Sequence, residues 1–278
     1  MTNNGIISLI YIIGRGHSGS TLLDLVLGEH SNITGLGELR WLSNRKRARS
    51  NFLDNECTCG APRTANCSFW ISIETILGDK FGLSLKTLDL EADDDQTFIF
   101  HNMALLSAVR AVTGSKYLVD SSKSPHRLKR LNTLCNSLDI RPVYIVRNPC
   151  GVTYSHLKRG RDLKLWAKKY AAYTDEIHRA LIGLNFHLVE YERFCRTPTE
   201  VLDSVMFYLG LQTEDEQLAV DHRLHHNLAG NSLRFNKSLE IAIDEAWRKN
   251  LTLMEKLIVF RYTHSQRLAI SRLRSELR

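Results

Sequence analysis

The sequence predicts a three-layer α/β fold with a central, mainly parallel sheet of about five strands and a helical C-terminal third. Three observations predict it. Short apolar segments alternate with stretches of helical periodicity, the pattern of parallel strands joined by crossover helices. The first apolar segment runs straight into a glycine-rich turn and then an apolar helix start. From about Asp215 onward there is no convincing strand.

The strands are expected at Ile6–Ile13, Ile33–Gly37, Lys116–Asp120, Arg141–Val146 and Phe186–Tyr191. Helices are expected at about Gly19–Leu27, Thr97–Val112, His126–Ser137, Gly151–Lys158, Leu163–Ile182 and Thr199–Leu209. The length of 278 residues, with 43% hydrophobic and 24% charged content, fits one domain over 1–278. Two parts of it stand out: a cysteine-containing insertion over 45–70, read as lying over the sheet's edge, and a helical region over 215–278 with a loop around Gly230. The apolar run Ile6–Ile13 is far short of the ~20 residues that span a bilayer, and no basic segment precedes it. The expectation is a cytoplasmic protein with no signal peptide or membrane anchor.

A formal net charge of +7 suits an anionic partner. Basic residues gather at Arg45-Lys46-Arg47-Ala48-Arg49 and at Lys158-Arg159-Gly160-Arg161, and each cluster reads equally well as solvated surface. Neither carries the interleaved aromatic residues of a single-strand stacking platform, so no nucleic-acid partner is expected. Of the six cysteines, Cys57, Cys59 and Cys67 share one short segment. They would hold zinc only if a fourth ligand came from elsewhere, and a paired C-x-x-C on each side is missing. The reading is therefore no metal, with a reduced structural cluster or a local disulfide in its place.

The chemistry starts at Gly14-Arg15-Gly16-His17-Ser18-Gly19-Ser20-Thr21, between the first strand and the first helix. Such a turn offers backbone N–H groups and the positive end of a helix dipole to a phosphate, making this a P-loop-like element. Measured against G-x-x-x-x-G-K-[ST], Gly14 and Gly19 are kept but Ser20 replaces the lysine that reaches the β/γ-phosphates of a nucleoside triphosphate. The loop is matched to a ligand with less charge to neutralise.

Ser18-Gly19-Ser20-Thr21 resembles the 5′-phosphosulfate loop of the sulfotransferases that depend on 3′-phosphoadenosine 5′-phosphosulfate (PAPS), bacterial-type members in particular. That family has Lys or Arg where this chain has His17, so the cationic contact would be shared by His17 and Arg15. A second resemblance is Arg147 at the end of the fourth strand with Ser155 eight residues later, the family's 3′-phosphate motif. A guanidinium supplies a forked, permanently charged grip, and a helix-borne hydroxyl adds a donor. A third lies at Gly230-Asn231-Ser232-Leu233-Arg234, similar to a Gly-Asn-x-x-Arg loop near the nucleotide, which makes Gly230 and Arg234 expected contacts. Tyr191-Glu192 looks like a structural pair of the same family. The resemblance implies PAPS as donor, adenosine 3′,5′-bisphosphate as product, and Arg15, Gly16, His17, Ser18, Gly19, Ser20, Thr21, Arg147, Ser155, Gly230 and Arg234 as nucleotide-binding residues.

Sulfuryl transfer needs a proton acceptor and cations around the spreading charge, by the logic of phosphoryl transfer. Glu38, after the second strand, resembles the Gly-Glu base of tyrosylprotein sulfotransferases; pairing to Arg40 is the bland alternative. Lys123 resembles a lysine that stabilises the leaving group in a Lys-(Ser/Asp/Thr)-Pro element, and His126 is a second candidate base. With His17 these form the expected catalytic set, working without a metal on the hydroxyl or amine of a small-molecule acceptor, such as a specialised natural product. The rival is a divergent kinase using ATP and magnesium, with Asp120 as metal ligand. A noncatalytic nucleotide- or nucleic-acid-binding module draws only on net charge. The sequence does not indicate an oligomeric state.

Overall fold

The computed structural model describes residues 5–42, 52–221, 224–236, 239 and 241–277. The basic cluster at 45–49, and that part of the expected insertion, lie outside the described residues. Among the described residues a single sheet runs in the order β2-β3-β1-β4-β5, with β1 at Ile7–Gly14, β2 at Ile33–Gly35, β3 at Tyr117–Lys123, β4 at Leu138–Val146 and β5 at His187–Glu190. The pairings β2 with β3 and β4 with β5 are parallel, Ile33 opposite Tyr117 and Val143 opposite His187. This is the α/β class the alternating pattern predicts.

Two compact units divide the chain. The first comprises 1–12, 21–141 and 214–239. It holds α1 (Ser20–Gly28, from its second residue), α2 (Ser68–Phe81), α3 (Asp95–Thr113) and α4 (Pro125–Leu134). Its core includes Leu9, Ile10, Leu23, Val26, Trp70, Leu105 and Val119, all nearly solvent-free. Apolar side chains at these positions supply the main favourable term of folding, ~25 cal/mol per Å² removed from water. Under the β3–α4 junction lies a buried polar knot. Arg127 donates to Asp120, to Asn102 and to the Leu90 carbonyl, so a wholly buried guanidinium is fully paired.

The second unit comprises 13–20, 142–213 and 240–278. It holds α5 (Pro149–Leu157), α6 (Leu163–Leu181), α7 (Tyr191–Arg196), α8 (Pro198–Leu209), α9 (Ala246–Asn250), α10 (Leu253–Tyr262) and α11 (His264–Glu276). The helix starts follow local chemistry: Asn148 caps α5 through Cys150 N, and Asp162 caps α6 through Leu165 N. Pro149 and Pro198 occupy first turns, where a missing N–H costs nothing.

Four boundaries differ from expectation for identifiable reasons. β2 stops at Gly35 because Gly37 takes φ of +72°, forming an isolated bridge to Leu228 while its carbonyl still accepts from Ser121 N. β3 continues through Ser121 and Ser122 to Lys123, since Asp120 accepts from Ser122 N and makes the polar residues compatible with burial. The helix α2 begins inside the expected insertion; Trp70, Ile73 and Leu77 form its buried stripe, an i, i+3, i+7 signal overshadowed by nearby charge and cysteine. Tyr191 opens a short helix and does not end the last strand.

Candidate active site

The loop after β1 belongs to the second unit. Its shape is set by crowding: a Cβ on Gly14 would stand 2.5 Å from the Ile145 carbonyl oxygen, and one on Gly19 2.5 Å from the Tyr191 ring. Gly19 also takes φ of +93°, open to glycine at no steric cost. Beside Gly16 nothing lies within 4 Å of the Cβ position. Among the described residues, the non-glycine residues with positive φ are His17, Lys123 and Ala229. Two of these were singled out from sequence as catalytic, and such strain persists where the surrounding structure over-determines it.

Arg147 closes on this loop. Its Nη1 donates to the His17 carbonyl at 3.0 Å, and Nη2 pairs with Asp244 Oδ2 at 3.0 Å and its carbonyl at 2.7 Å. The guanidinium lies 4.5 Å above the Tyr191 ring, whose hydroxyl accepts from Asp244 N. Glu192 accepts from Asn148 N, so the Tyr191-Glu192 pair fastens the segment that carries Arg147. Ser155, buried on α5, donates to the Gly151 carbonyl at 2.9 Å. A Cβ on Gly151 would press to 2.9 Å from Arg147 Nε, so the glycine makes room for the arginine.

Cations gather around the same loop. Arg159 Nη1 is 3.1 Å from His17 Nε2, and the His17 ring meets His156 edge-on at 4.8 Å. Arg15 lies over the rings of Trp166 and Tyr173. Burial first, and then the charges of His17, Arg15, Arg161 and Arg159, push His156 down to about 3. Arg15, Arg159 and Arg161 thus set a cluster of positive charge around the loop. Ser18 Oγ and the Nε atoms of Arg15 and Arg147 are buried without a protein partner. Orphaned donors, a glycine-opened loop and a positive field all fit an anionic group such as a phosphate or phosphosulfate.

The first unit holds the other candidates. Lys123 Nζ is 2.7 Å from Glu38 Oε1, and Glu38 Oε2 accepts from Trp41 Nε1 at 2.8 Å. Lys123 also donates to the Ser121 carbonyl. The partner of Glu38 is thus Lys123, with Arg40 instead placing its N–H on Ser122 Oγ. The Glu38 N–H donates to the Leu228 carbonyl, which fixes the start of this segment. His126 is exposed on the first turn of α4. Thr21 Oγ1 accepts from Asn231 N, beside Gly230, where φ is +106°. Arg234 is buried, with Nη1 donating to the Asn227 carbonyl at 2.6 Å. Asp120 has its oxygens committed, one to Ser122 and one to Arg127.

Sequence reasoning left Arg159, His156, Trp41 and Asp244 without a role. The run Lys158-Arg159-Gly160-Arg161 was the available signal for the first, but only folding shows which of its members faces the loop.

A model of the sulfotransferase family matches residues 10–215. The chain belongs to the sulfotransferase family. Its fold is similar to that of the sulfotransferase domain of the Synechococcus PCC 7002 olefin synthase, with a TM-score of 0.61 at 18% identity over 95% of this chain and 96% of that one. It is also similar to the sulfotransferase domain from the curacin biosynthetic pathway, at 0.57 and 18% over 92% and 97%. A sulfotransferase from Mycobacterium tuberculosis H37Rv gives 0.52 and 13% over 94% and 77%. At these identities the likeness speaks for the fold. A search of curated protein sequences found no match. Among the described residues of this sulfotransferase, no helix is long and apolar enough to cross a membrane.

Proposed function

We propose that this sulfotransferase transfers a sulfuryl group from PAPS to a hydroxyl or amine of a small-molecule acceptor, with no metal in the transfer step and with 1–278 acting as one sulfotransferase domain in the cytoplasm. The observation that carries the donor is the 3.0 Å contact from Arg147 Nη1 to the His17 carbonyl. It joins two motifs 130 positions apart, as a grip on both ends of one bisphosphorylated nucleoside requires. In this reading Arg15, Gly16, His17, Ser18, Gly19, Ser20 and Thr21 hold the 5′-phosphosulfate and Arg147 with Ser155 the 3′-phosphate. Gly230 and Arg234 complete the nucleotide contacts.

In the transfer, a bond forms between the acceptor heteroatom and sulfur as the bond from sulfur to the 5′-phosphate oxygen breaks. The acceptor proton passes to Glu38, favoured over His126 because its carboxylate is held by Trp41 and Lys123. Lys123 and His17 offset the charge that builds on the leaving phosphate. The acceptor we propose is a soluble metabolite such as a specialised natural product.

The kinase reading loses its main support, because Asp120 is committed to Arg127 and Ser122. Calorimetry tests the choice. Adenosine 3′,5′-bisphosphate should bind without magnesium, and radiolabelled PAPS should yield labelled acceptor with a phenol or amine panel. Magnesium-dependent ATP binding, with no response to the bisphosphate, would overturn the proposal.

A further inference from the structure

The segment with Cys57, Cys59 and Cys67 lacks, in sequence, the fourth ligand of a metal site. The fold supplies one. His226 Nδ1 lies 3.2 Å from Cys67 Sγ and 3.9 Å from Cys57 Sγ, and Cys59 Sγ is 3.6 Å from Cys67 Sγ. All four ligand atoms lie within 4.8 Å of one another. A zinc tetrahedron with Zn–S of about 2.3 Å and Zn–N of about 2.0 Å has edges of about 3.8 Å between sulfurs and about 3.5 Å from sulfur to nitrogen. The two sulfur–nitrogen separations bracket their edge, and the Cys59–Cys67 separation falls just short of its own. A disulfide would need its sulfurs at about 2.05 Å, and all six cysteines are free thiols.

We propose that Cys57, Cys59, Cys67 and His226 form a closed structural zinc site.

The surroundings are built for ligation. Gly60, at φ of +89°, completes a tight turn in which its N–H donates to the Cys57 carbonyl, folding the segment back so that Cys57 and Cys59 converge. The Cys59 amide lies beside Cys57 Sγ, and the Trp70 amide beside Cys67 Sγ, each favouring the thiolate. Amide donors of this kind stabilise metal-bound thiolates. The His226 ring stacks on Phe69 with centroids 4.4 Å apart and planes 7° apart, and its carbonyl accepts from Trp70 Nε1 at 3.0 Å. These contacts hold Nδ1 toward the sulfurs. Three thiolates and an imidazole select zinc over oxygen-seeking magnesium or calcium, and four protein ligands leave no open position for catalysis.

Loading the site releases three thiol protons to solvent and leaves a centre of net charge −1. The Arg234 guanidinium is near enough to Cys57 to interact with that charge. The site also has a mechanical role within its unit. His226 immediately precedes Asn227, whose carbonyl accepts from Thr58 Oγ1, and Leu228, whose backbone bonds to Leu36 and Glu38. Zinc would thus pin the cysteine segment to the strand-like stretch that sets the Glu38 backbone. None of this depends on the donor or acceptor of the transfer reaction.

The test uses the full chain purified without chelators. Elemental analysis should find one zinc per chain, and exchange for Co(II) should give the intense visible d–d bands of a tetrahedral thiolate site. Cys59→Ser and His226→Ala should lose most of the bound metal, and Cys135→Ser should retain it. The cobalt spectrum of the unaltered chain carries the test even if a variant fails to fold. The proposal is overturned by a folded chain that takes up neither metal, by an octahedral cobalt spectrum, or by a Cys59–Cys67 disulfide in the protein as purified.

Discussion

Glu38 and Lys123, 85 positions apart, meet as an ion pair of 2.7 Å in which neither side chain is more than 15% exposed. Partial burial of a charge pair is costly unless geometry and extra hydrogen bonds are good, and here Trp41 and the Ser121 carbonyl supply them. Replacing Glu38 by Gln keeps the shape and removes the proposed proton acceptor. Turnover should fall by about 10²–10⁴-fold, with bisphosphate affinity little changed by calorimetry. Because Lys123 and Glu38 share one interaction, the double variant should cost less than the sum of the single losses.

Arg147 already carries an anion, the Asp244 carboxylate at 3.0 Å. A nucleotide phosphate bound there, as proposed, would share or displace it. Asp244→Asn should therefore tighten adenosine 3′,5′-bisphosphate binding, by about tenfold for a gain of ~1.4 kcal/mol. Arg147→Ala should weaken it by about 30–150-fold, the equivalent of ~2–3 kcal/mol for charge-assisted bonds. Titration calorimetry at fixed ionic strength reads both, and opposite signs would remove Arg147 from the nucleotide site.

Arg159 stands 3.1 Å from His17 Nε2 but is exposed, so salt screens its contribution. Arg159→Ala should raise KM for PAPS by about fivefold at low salt, a loss of up to ~1 kcal/mol, and by less at high salt. Steady-state kinetics across a salt series would show the two curves converging.

Asp24 is wholly buried, and burial pushes it up to about 6 despite hydrogen bonds from Ser121 and Asn227. The unfolded chain gives up this proton near the ordinary value of 3.8. Between about pH 4 and 6 the unfolded state therefore binds fewer protons than the folded one, and stability falls as pH rises. Above pH 6 a penalty of about 3 kcal/mol remains. Asp24→Asn should escape it, giving higher stability at pH 7–8 and no advantage at pH 4. Urea unfolding over that pH range measures the difference.

Gly37 combines φ of +72° with a backbone contact that leaves no room: an added Cβ would lie 2.2 Å from the Leu228 carbonyl oxygen. Gly37→Ala should destabilise the protein by more than the ~1–3 kcal/mol of backbone strain alone. Gly82 has a similar φ of +64° with nothing within 4 Å, so Gly82→Ala should cost only the strain. Thermal unfolding of the two variants separates crowding from conformational preference.

Much of the fold was legible because its determinants are local. The strand cores at β1 and β4 were marked by apolar runs and α5 and α6 by helical periodicity, while the caps that set their starts, Asn148 and Asp162, came from the structure. The helix α2 escaped notice because its stripe of Trp70, Ile73 and Leu77 sits in a segment whose charge and cysteines read as loop. The polar end of β3 escaped because burying Ser121 and Ser122 depends on Asp120 and on Arg127 from the next helix.

By itself the sequence determined that a strand feeds a glycine-rich turn and a helix start, and that an arginine ends a second strand; adjacent residues suffice for both because backbone geometry and dipoles act at short range. Tertiary structure alone decided that Arg147 would reach the His17 carbonyl, that Glu38 would pair with Lys123 and that His226 would arrive among three cysteines. Contacts across 85, 130 or 159 positions depend on strand order and on which loops are packed together, and no local pattern encodes the partner.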